Sequence, residues 1–389
     1  MKTQPIFRNI PLAWLQLKRE KSRLMVAMAG IAFADMLMFI QLGFQTALYD
    51  SNTQLHQTIN ADLVLISPQG RNIVSLDTFP RRRLYQALSF EGVTSAEPLY
   101  TDFVDWKNPQ TNLKTSILLL GFNPKKTAFL IPEVEKNLEK LKMPDILLFD
   151  RGSRGNYTTA IADLEQGKTV STEARERKLN IKGLFLSGAS FAADGNVITS
   201  DLNFHRIMTN RDPSQVSAGL IQLKPGIDPQ VMAQVLQKNL PNDVRVLTKA
   251  EFINFEKQYW SENTSIGFIF TMGTAIGFVV GVVIVYQILS GDVAEHTAEY
   301  ATLKAMGYQD SYLLTVVFQE ALILAFLGFL PGSAIAVSLY ALTRNATNLP
   351  LFMTMSRAIT VLILTIMMCL ISGGIATRKL RAADPADIF

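Results

Sequence analysis

The chain of 389 residues contains a single cysteine, Cys369, which lies within an apolar run. One cysteine excludes a disulfide framework within the chain and a metal site built from several thiolates. Histidine is almost as scarce, and His56, His205 and His296 are far apart in the sequence, without the spacing of metal ligands. We therefore interpret Cys369 as a small residue packed among apolar helices, and each histidine as incidental to function.

The sequence also lacks the short motifs that bind nucleotides or supply an activated serine. It contains no G-x-x-x-x-G-K-[ST] segment, which would cradle the phosphates of ATP, and no G-x-S-x-G nucleophile elbow. Acidic pairs such as Asp62 and Asp77 have no spacing that separates them from ordinary surface carboxylates. We therefore expect no catalytic residue, no metal site and no cofactor on this chain.

Long apolar runs, by contrast, are present and are confined to four places. A helix needs about 20 apolar residues to cross the hydrocarbon core of a bilayer. The third run is too long for one straight span, so we expect it to tilt, to bend near Pro331, or to protrude. The first run is not followed by an A-x-A cleavage pattern and is interpreted as a retained anchor. The predicted spans are residues 24–46, 265–289, 312–342 and 358–377.

Positive charge is concentrated at the two ends of the chain. Residues 1–23 carry six Lys and Arg against one Glu, and Arg378, Lys379 and Arg381 follow the last apolar run. Cytoplasmic flanks of membrane proteins are enriched in basic residues in this way. An even number of spans places both termini on one side, so we expect both in the cytoplasm. The charges of the loops on either side of the third span favour the reverse orientation, and a basic surface for nucleic acid is the weaker alternative.

The basic N-terminal segment also has helical spacing. Its residues Ile10, Trp14, Leu17 and Lys21 recur on one face, so we expect residues 1–23 to form an amphipathic helix on the cytoplasmic leaflet. A disordered basic leader is the alternative. The last segment, 378–389, is expected to be a cytoplasmic tail.

Residues 47–264, between the first two spans, are long enough to form a domain with its own core. A strand–helix–strand pattern occurs at each end of this segment, and the helix at 228–240 has Asp228 as its predicted N-cap. The predicted fold class is therefore an α-helical membrane protein with four transmembrane helices and a large extracytoplasmic α/β domain between helices one and two.

The predicted domain has two parts. Residues 61–124 and 214–250 are expected to form a split β-α-β lobe. Residues 125–213, which contain short alternating strands separated by glycine turns, are expected to form an inserted β-rich lobe.

Two acidic residues fall inside predicted spans, Asp35 near the middle of the first and Glu320 in the third. A charge at mid-membrane costs about 3 kcal/mol, so we expect Asp35 to face the bundle interior or water, or to be protonated. A structural contact of Asp35 with Gln41, Gln45 or Gln319 is one interpretation. Proton coupling by the two acids is the other, although no Lys, Arg or His inside the spans offers a relay partner.

Three glycines in the second span, Gly273, Gly277 and Gly281, are spaced by four residues and share one helix face. Such a face lets a neighbouring backbone approach closely. Either it forms the seam of a dimer, or it packs against a helix of the same chain. The sequence alone leaves both interpretations open.

The loop after the second span predicts a short cytoplasmic helix over residues 290–311. Gly291 is expected to end the span, Asp292 to cap the new helix, Glu295 to complete a capping box, and Gly307 to end it. A force on this helix would pass into the second and third spans. A surface helix without a partner is the alternative.

We expect this coupling helix to contact a partner that supplies energy. The candidate coupling residues combine two acids and a lysine with an apolar strip. They are Glu295, Glu299, Tyr300, Leu303, Lys304, Met306 and Gly307.

The order of one span, a large domain and three spans, with "EYATLKAMGYQD" after the second span, resembles the FtsX/MacB-type permease superfamily of ABC transporters. The closing "RKLRAADPADIF", with Pro385 and Ile388, is similar to the end of that family. Nearly the whole chain resembles the DevC permeases of cyanobacteria, most clearly in "LAWLQLKREKSRL", "FADMLMFIQLGFQTALYDS", "GLFLSGASFAADGNVITSDLNF" and "LKAMGYQD".

The resemblance implies a homodimeric permease in the bacterial inner membrane, bound to a separate ABC ATPase subunit that holds ATP and Mg. It implies that the outer domain engages a periplasmic adaptor (membrane fusion) protein, which leads to a TolC-like outer-membrane duct. The implied cargo is a glycolipid or another amphiphile, moved by mechanical transmission. An FtsX-like signal transducer or a lipoprotein-release permease is the alternative within the superfamily, and a receptor with an outer ligand domain is the alternative outside it.

Overall fold

In the computed structural model the protein forms two compact units. One contains the long apolar helices, and the other consists of Ala47–Ser265 together with Ala346–Pro350. Most of the predicted N-terminal amphipathic helix and of the C-terminal tail lies outside the described residues, but Trp14 and Arg19 are helical and exposed. The structure describes residues 14, 19, 21–297, 299, 302, 306, 308–347 and 349–382.

The helices and strands of the described residues follow one another along the chain. They are α1 Lys21–Thr58, β1 Leu63–Ile66, β2 Phe79–Pro80, α2 Arg82–Leu88, β3 Val93–Lys107, β4 Lys114–Phe122, α3 Pro132–Glu135, α4 Leu138–Leu141, β5 Ile146–Asp150, α5 Thr158–Glu165, β6 Val170–Ala174, β7 Arg177–Phe185, β8 Asn196–Ser200, α6 Asp201–Ile207, β9 Gln215–Val216, β10 Ala218–Leu223, α7 Pro229–Asn239, β11 Arg245–Thr248, α8 Lys249–Glu262, α9 Ser265–Glu295, α10 Asp310–Thr347 and α11 Met355–Ala382.

Four helices within the described part of the chain, α1, α9, α10 and α11, are long and apolar enough to cross a membrane. They confirm the four predicted spans, and each helix extends beyond its apolar run because backbone hydrogen bonding continues where the apolar residues end. Helix α10 runs through Pro331 without interruption.

The four apolar helices share one core that is rich in small side chains. Small residues allow close approach of helix backbones where no hydrophobic driving force from water is available. Cys369 is fully buried in this core, which confirms its interpretation as a packing residue. The core residues are Ala27, Ile31, Ala34, Val285, Leu289, Ala321, Leu324, Ala325, Met368, Cys369 and Ala376.

The α/β unit is built on one nine-stranded sheet with the strand order β11-β1-β10-β3-β4-β8-β5-β7-β6. The strands β11, β1, β10 and β3 pair antiparallel, and helices α2 and α7 occur in the β1-to-β3 and β10-to-β11 connections. This arrangement is a β-α-β-β-α-β fold with a long insertion between its two halves. Both predicted β-α-β repeats are present in it. Asp228 caps α7 by accepting a hydrogen bond from the Gln230 amide at 2.7 Å, which confirms the predicted cap.

The long strand β3 also belongs to a second part of the sheet. Its first half pairs with β10, its second half pairs with β4, and its end pairs with β6 through Trp106 and Lys107. The six strands β3, β4, β8, β5, β7 and β6 therefore close on themselves. Strands β3 and β4, which the sequence assigned to the α/β lobe, thus serve both parts, because β3 has 15 residues and can have different neighbours along its length.

Both faces of the sheet are covered by apolar residues. In strand β1 successive side chains alternate between the two faces. Leu63 and Leu65 join the core on one face, and Val64 and Ile66 join the core on the other. Burial on both faces explains why β1 reads in the sequence as a continuous apolar run.

Candidate functional site

Helix α9 does not end at Gly291 but continues to Glu295. The prediction that Gly291 ends the second span and that Asp292 caps a new helix is therefore wrong. The physical reason is a contact that the sequence does not show. A Cβ atom at position 291 would lie 2.7 Å from Nη2 of Arg23, so the glycine provides space for the Arg23 guanidinium instead of breaking the helix.

Arg23, at the start of α1, binds the end of α9 through two acids. Its Nη1 donates to Oε2 of Glu295 at 2.6 Å and lies 3.5 Å from Oδ1 of Asp292. The Asp292 side chain is almost buried, whereas that of Glu295 is exposed. His296 also lies near this cluster, with Nδ1 3.6 Å from Oδ1 of Asp292. The start of α1 is thus tied to the end of α9, where the loop that contains the candidate coupling residues begins.

Three of the seven predicted coupling residues can be placed. Glu295 ends α9, Glu299 is helical and exposed, and Met306 is exposed, with its amide donating to the Thr302 carbonyl at 3.0 Å. That hydrogen bond spans four residues, as in an α-helix. The remaining four, Tyr300, Leu303, Lys304 and Gly307, lie outside the described residues.

Asp35 faces the interior of the helical unit and is completely buried. Its Oδ1 accepts a hydrogen bond from Oγ1 of Thr365 in α11 at 2.6 Å, whereas Oδ2 has no hydrogen-bond partner within the described part of the chain. The backbone of α10 also approaches closely, since a Cβ at Gly332 would lie 2.9 Å from the Asp35 Cβ. The predicted inward orientation is confirmed.

The partner of Asp35 differs from the three glutamines that the sequence suggested. Thr365 occurs in an otherwise apolar stretch of α11. Its isolated hydroxyl was the only feature of the sequence that could have indicated its hydrogen bond to Asp35. Gln45 instead donates to Oγ1 of Thr271 at 3.2 Å. Glu320 in α10 is buried as well, with 2% of its surface exposed.

The three glycines of α9 pack against helices of the same chain. A Cβ at Gly273 would lie 2.5 Å from the Gln41 side chain, and one at Gly277 would lie 3.3 Å from Cγ of Met38. A Cβ at Gly281 would collide with Met368 of α11. These contacts support intrachain packing, the second of the two interpretations.

The sequence missed one buried polar cluster in the α/β unit. His56, near the end of α1, has Nε2 3.2 Å from Oε2 of Glu256 in α8, and both side chains are fully buried. Glu256 also accepts hydrogen bonds from Nε1 of Trp260 and from the amide of Ile73, each at 2.8 Å. The two residues are 200 positions apart, so no local pattern could have paired them.

The C-terminal helices show a family relationship. Residues 259–385 match the protein family described as FtsX-like permease C-terminal. This part of the chain is similar to the C-terminal domain of FtsX-like permeases. It includes α9, α10, α11 and the loop that carries the candidate coupling residues, and it makes up about a third of the chain.

Two solved structures are similar to part of the chain. The periplasmic region of MacB from Actinobacillus actinomycetemcomitans aligns with a TM-score of 0.35 and 12% identity, over 53% of this chain and 95% of that one. The extracellular domain of the ABC-type transporter YknZ from Gram-positive bacteria aligns with a TM-score of 0.30 and 12% identity, over 49% of this chain and 100% of that one. No curated protein sequence matches the chain. Neither structural likeness bears on function at this level of similarity.

Proposed function

We propose that this chain is the membrane subunit of an ATP-driven ABC exporter, with ATP and Mg bound by a separate ATPase subunit. The match of residues 259–385 to FtsX-like permeases carries the proposal. The sequence has no phosphate-cradling loop, so energy from ATP must come through contact with a partner. A segment that receives this contact should be exposed and continuous with the membrane helices.

The described residues of the loop between α9 and α10 fit this requirement. Glu299 and Met306 expose their side chains, and the helices on either side are the second and third spans. A partner that pulls on this loop acts on two helices at once. The tie between Arg23 and Glu295 adds the first helix to the same group. We therefore propose Glu295, Glu299 and Met306, with Tyr300, Leu303, Lys304 and Gly307, as the ATPase-coupling residues.

The proposed orientation places this loop and both termini in the cytoplasm, and the large domain outside it. The basic termini support it. The charges of Arg344 and Arg357 favour the reverse orientation in the membrane. Both side chains, however, make contacts within the protein. The Arg344 guanidinium lies 4.7 Å from the ring centre of Phe352, and Arg357, which is almost buried, donates to the Phe352 carbonyl at 2.7 Å. Their contacts give them a structural role that does not depend on the cytoplasmic side.

The finer proposal is a tripartite exporter of a bacterial inner membrane. We propose that the chain forms a homodimer and that its α/β unit engages a periplasmic adaptor (membrane fusion) protein connected to a TolC-like outer-membrane protein. The proposed cargo is a glycolipid or another amphiphile. The support is the resemblance of nearly the whole chain to the DevC permeases, including the stretch "GLFLSGASFAADGNVITSDLNF".

Replacement of Glu299 by arginine tests the coupling loop. The chain would be purified with the candidate ATPase, and we expect Glu299→Arg to abolish copurification or to separate hydrolysis from export. The matched control is Glu165→Arg, the same charge reversal at an exposed position in the α/β unit. Full association and full export by Glu299→Arg would refute the loop as the coupling element.

The partners and the cargo require the intact complex. Mild solubilisation of the membrane, followed by mass spectrometry of the copurified proteins and lipids, should show an ABC ATPase, an adaptor and an enriched glycolipid. A complex with a cell-wall hydrolase and no adaptor would instead favour the signal-transducer alternative. Absence of any ABC ATPase would contradict the proposed function as a whole.

A further inference from the structure

Three segments of the chain contain the four backbone crossings between the α/β unit and the apolar helices. One is α1, which runs unbroken from Lys21 to Thr58. Another is the junction of α8 and α9, which are separated only by residues 263–264, and the third is the segment Ala346–Pro350. A mechanical signal that travels along the backbone between the two units must pass through these connectors. Contacts between the end of α1 and α8 therefore decide whether the first two connectors, α1 and the junction of α8 and α9, move separately.

A completely buried carboxylate lies at this contact. Glu256 of α8 accepts hydrogen bonds at 2.8 Å from Nε1 of Trp260 on its Oε1 and from the Ile73 amide on its Oε2. His56 of α1 places Nε2 3.2 Å from the same Oε2, and its ring packs 4.6 Å from that of Phe252. Two hydrogen-bond donors, from α8 itself and from a loop, and the imidazole of His56 thus surround one acid.

A second contact lies further along the same two helices. Lys249, the first residue of α8, donates from Nζ to the Ile59 carbonyl just after α1, at 2.7 Å. His56 contacts Glu256, whereas Ile59, later in the chain, contacts Lys249, which is earlier than Glu256. The end of α1 and helix α8 therefore run antiparallel and are held together at two points.

The chemistry of the buried cluster favours a positional role. Burial of a carboxylate costs several kcal/mol, which an apolar side chain of similar size would avoid. Directed hydrogen bonds constrain the rotation and the sliding of a helix more than apolar contacts do, because they weaken steeply with angle and distance. In some proteins a buried polar group fixes one arrangement of its surroundings at some expense of stability.

We propose that His56 and Glu256 are positioning residues that lock the end of α1 to α8, so that the two connectors move as one body. This inference rests on the proposed function, in which motion of the spans is transmitted to the α/β unit. Trp260 and Ile73 hold the Glu256 carboxylate in place for the lock. The histidine that the sequence left as incidental is then essential for transmission.

Three variants of His56 and Glu256 test the lock. His56→Leu removes the imidazole beside Glu256, and His56→Gln keeps a polar side chain with an N–H group at this position. The double variant His56→Leu/Glu256→Leu replaces the pair with apolar side chains, a change that folded proteins often tolerate. The control is Asn254→Leu on the exposed face of α8. The readouts are ATPase association, ATP hydrolysis and export by the full complex, together with thermal stability.

We expect His56→Leu and the double variant to bind the ATPase and to hydrolyse ATP while export falls about tenfold, within the usual range of coupling energies. His56→Gln should restore most of the export. Normal export by the folded double variant would overturn the lock. Equal loss of export, hydrolysis and stability in His56→Leu and His56→Gln would show a purely structural pair and would also overturn it.

A distance measurement tests the lock independently of export. Spin labels at Gln57→Cys and Gln258→Cys, in a Cys369→Ser background, report the separation of the two helices through exposed positions. We expect one narrow distance distribution with and without ATP in the wild-type complex, and a broad one in His56→Leu. An equally narrow distribution in His56→Leu would contradict the lock. Failure of the wild-type chain to bind any ATPase would contradict the proposed function instead.

Discussion

Nη1 of Arg23 lies 2.6 Å from Oε2 of Glu295, so the start of α1 donates to the end of α9 across 272 positions of sequence. The neighbouring Asp292 is almost buried beside the same guanidinium, and Gly291 leaves the space that it occupies. Glu295, predicted as a partner-contact residue, thus has a contact within the chain. Arg23 therefore fixes the start of α1 to the end of α9, and the loop with the candidate coupling residues begins from these two helices rather than from α9 alone.

Substitution of Arg23 by glutamine tests this arrangement. The pair of Arg23 with the exposed Glu295 contributes about 0–1 kcal/mol, so its loss alone should lower the stability of the variant only slightly. If the contact orients the loop, the variant should nevertheless weaken coupling between ATP hydrolysis and export. Both quantities can be measured on the reconstituted complex at low and high salt, since screening of the exposed pair should reduce the difference from wild type.

Like the Arg23 variant, Gly291→Ala should weaken coupling between ATP hydrolysis and export, but without any change of charge. The added Cβ would lie 2.7 Å from Nη2 of Arg23 and must displace the guanidinium. The matched control is Gly374→Ala in α11, where an added Cβ meets nothing within 4 Å. If Gly291→Ala and Gly374→Ala behave alike, the guanidinium site has no role in coupling.

Asp35→Asn should leave folding and export largely intact. An asparagine amide can donate to Oγ1 of Thr365, which then donates to the Val361 carbonyl that it already contacts at 2.8 Å. Thr365→Val should be more damaging, because it leaves buried oxygens of Asp35 without a donor, at about 1–3 kcal/mol. Thermal unfolding and transport of both variants provide the measurement. A folded but inactive Asp35→Asn protein would show that the acid itself takes part in transport.

Gly277→Leu should destabilise the helical unit without changing its oligomeric state. Its Cβ would lie in contact with Met38 of α1, and the rest of the leucine has no space without movement of that helix. Overpacking of this kind costs about 1–3 kcal/mol. Thermal unfolding should show the loss, with Gly374→Leu as the control. Retained stability with loss of the dimer, measured by native mass spectrometry, would instead place this glycine face at a seam between subunits.

The features that the sequence predicted are those with a strong local signal. Four apolar runs of span length predict four helices, and Asp228 followed by Pro229 predicts the start of α7 from the geometry of a single turn. The orientation of Asp35 follows from the cost of charge in an apolar environment. Each of these depends on a few neighbouring residues.

The features that it missed depend on residues far apart in the chain. Alternating polarity in β3 shows which side chains face the core but not that the strand pairs with β10, β4 and β6 in turn. Gly291 has the same local signal whether it breaks a helix or admits Arg23. The partnership of His56 with Glu256 has no signal in either residue alone.

The side of the membrane on which the coupling loop lies is the most direct test of the account. A single cysteine at Glu299→Cys, in a Cys369→Ser background, would be treated with a membrane-impermeant maleimide in spheroplasts and in inside-out vesicles. We expect labelling only in the vesicles, where the cytoplasmic face is accessible. Labelling of intact spheroplasts would place the loop outside the cell, beyond the reach of any cytoplasmic ATPase, and would contradict the proposed function.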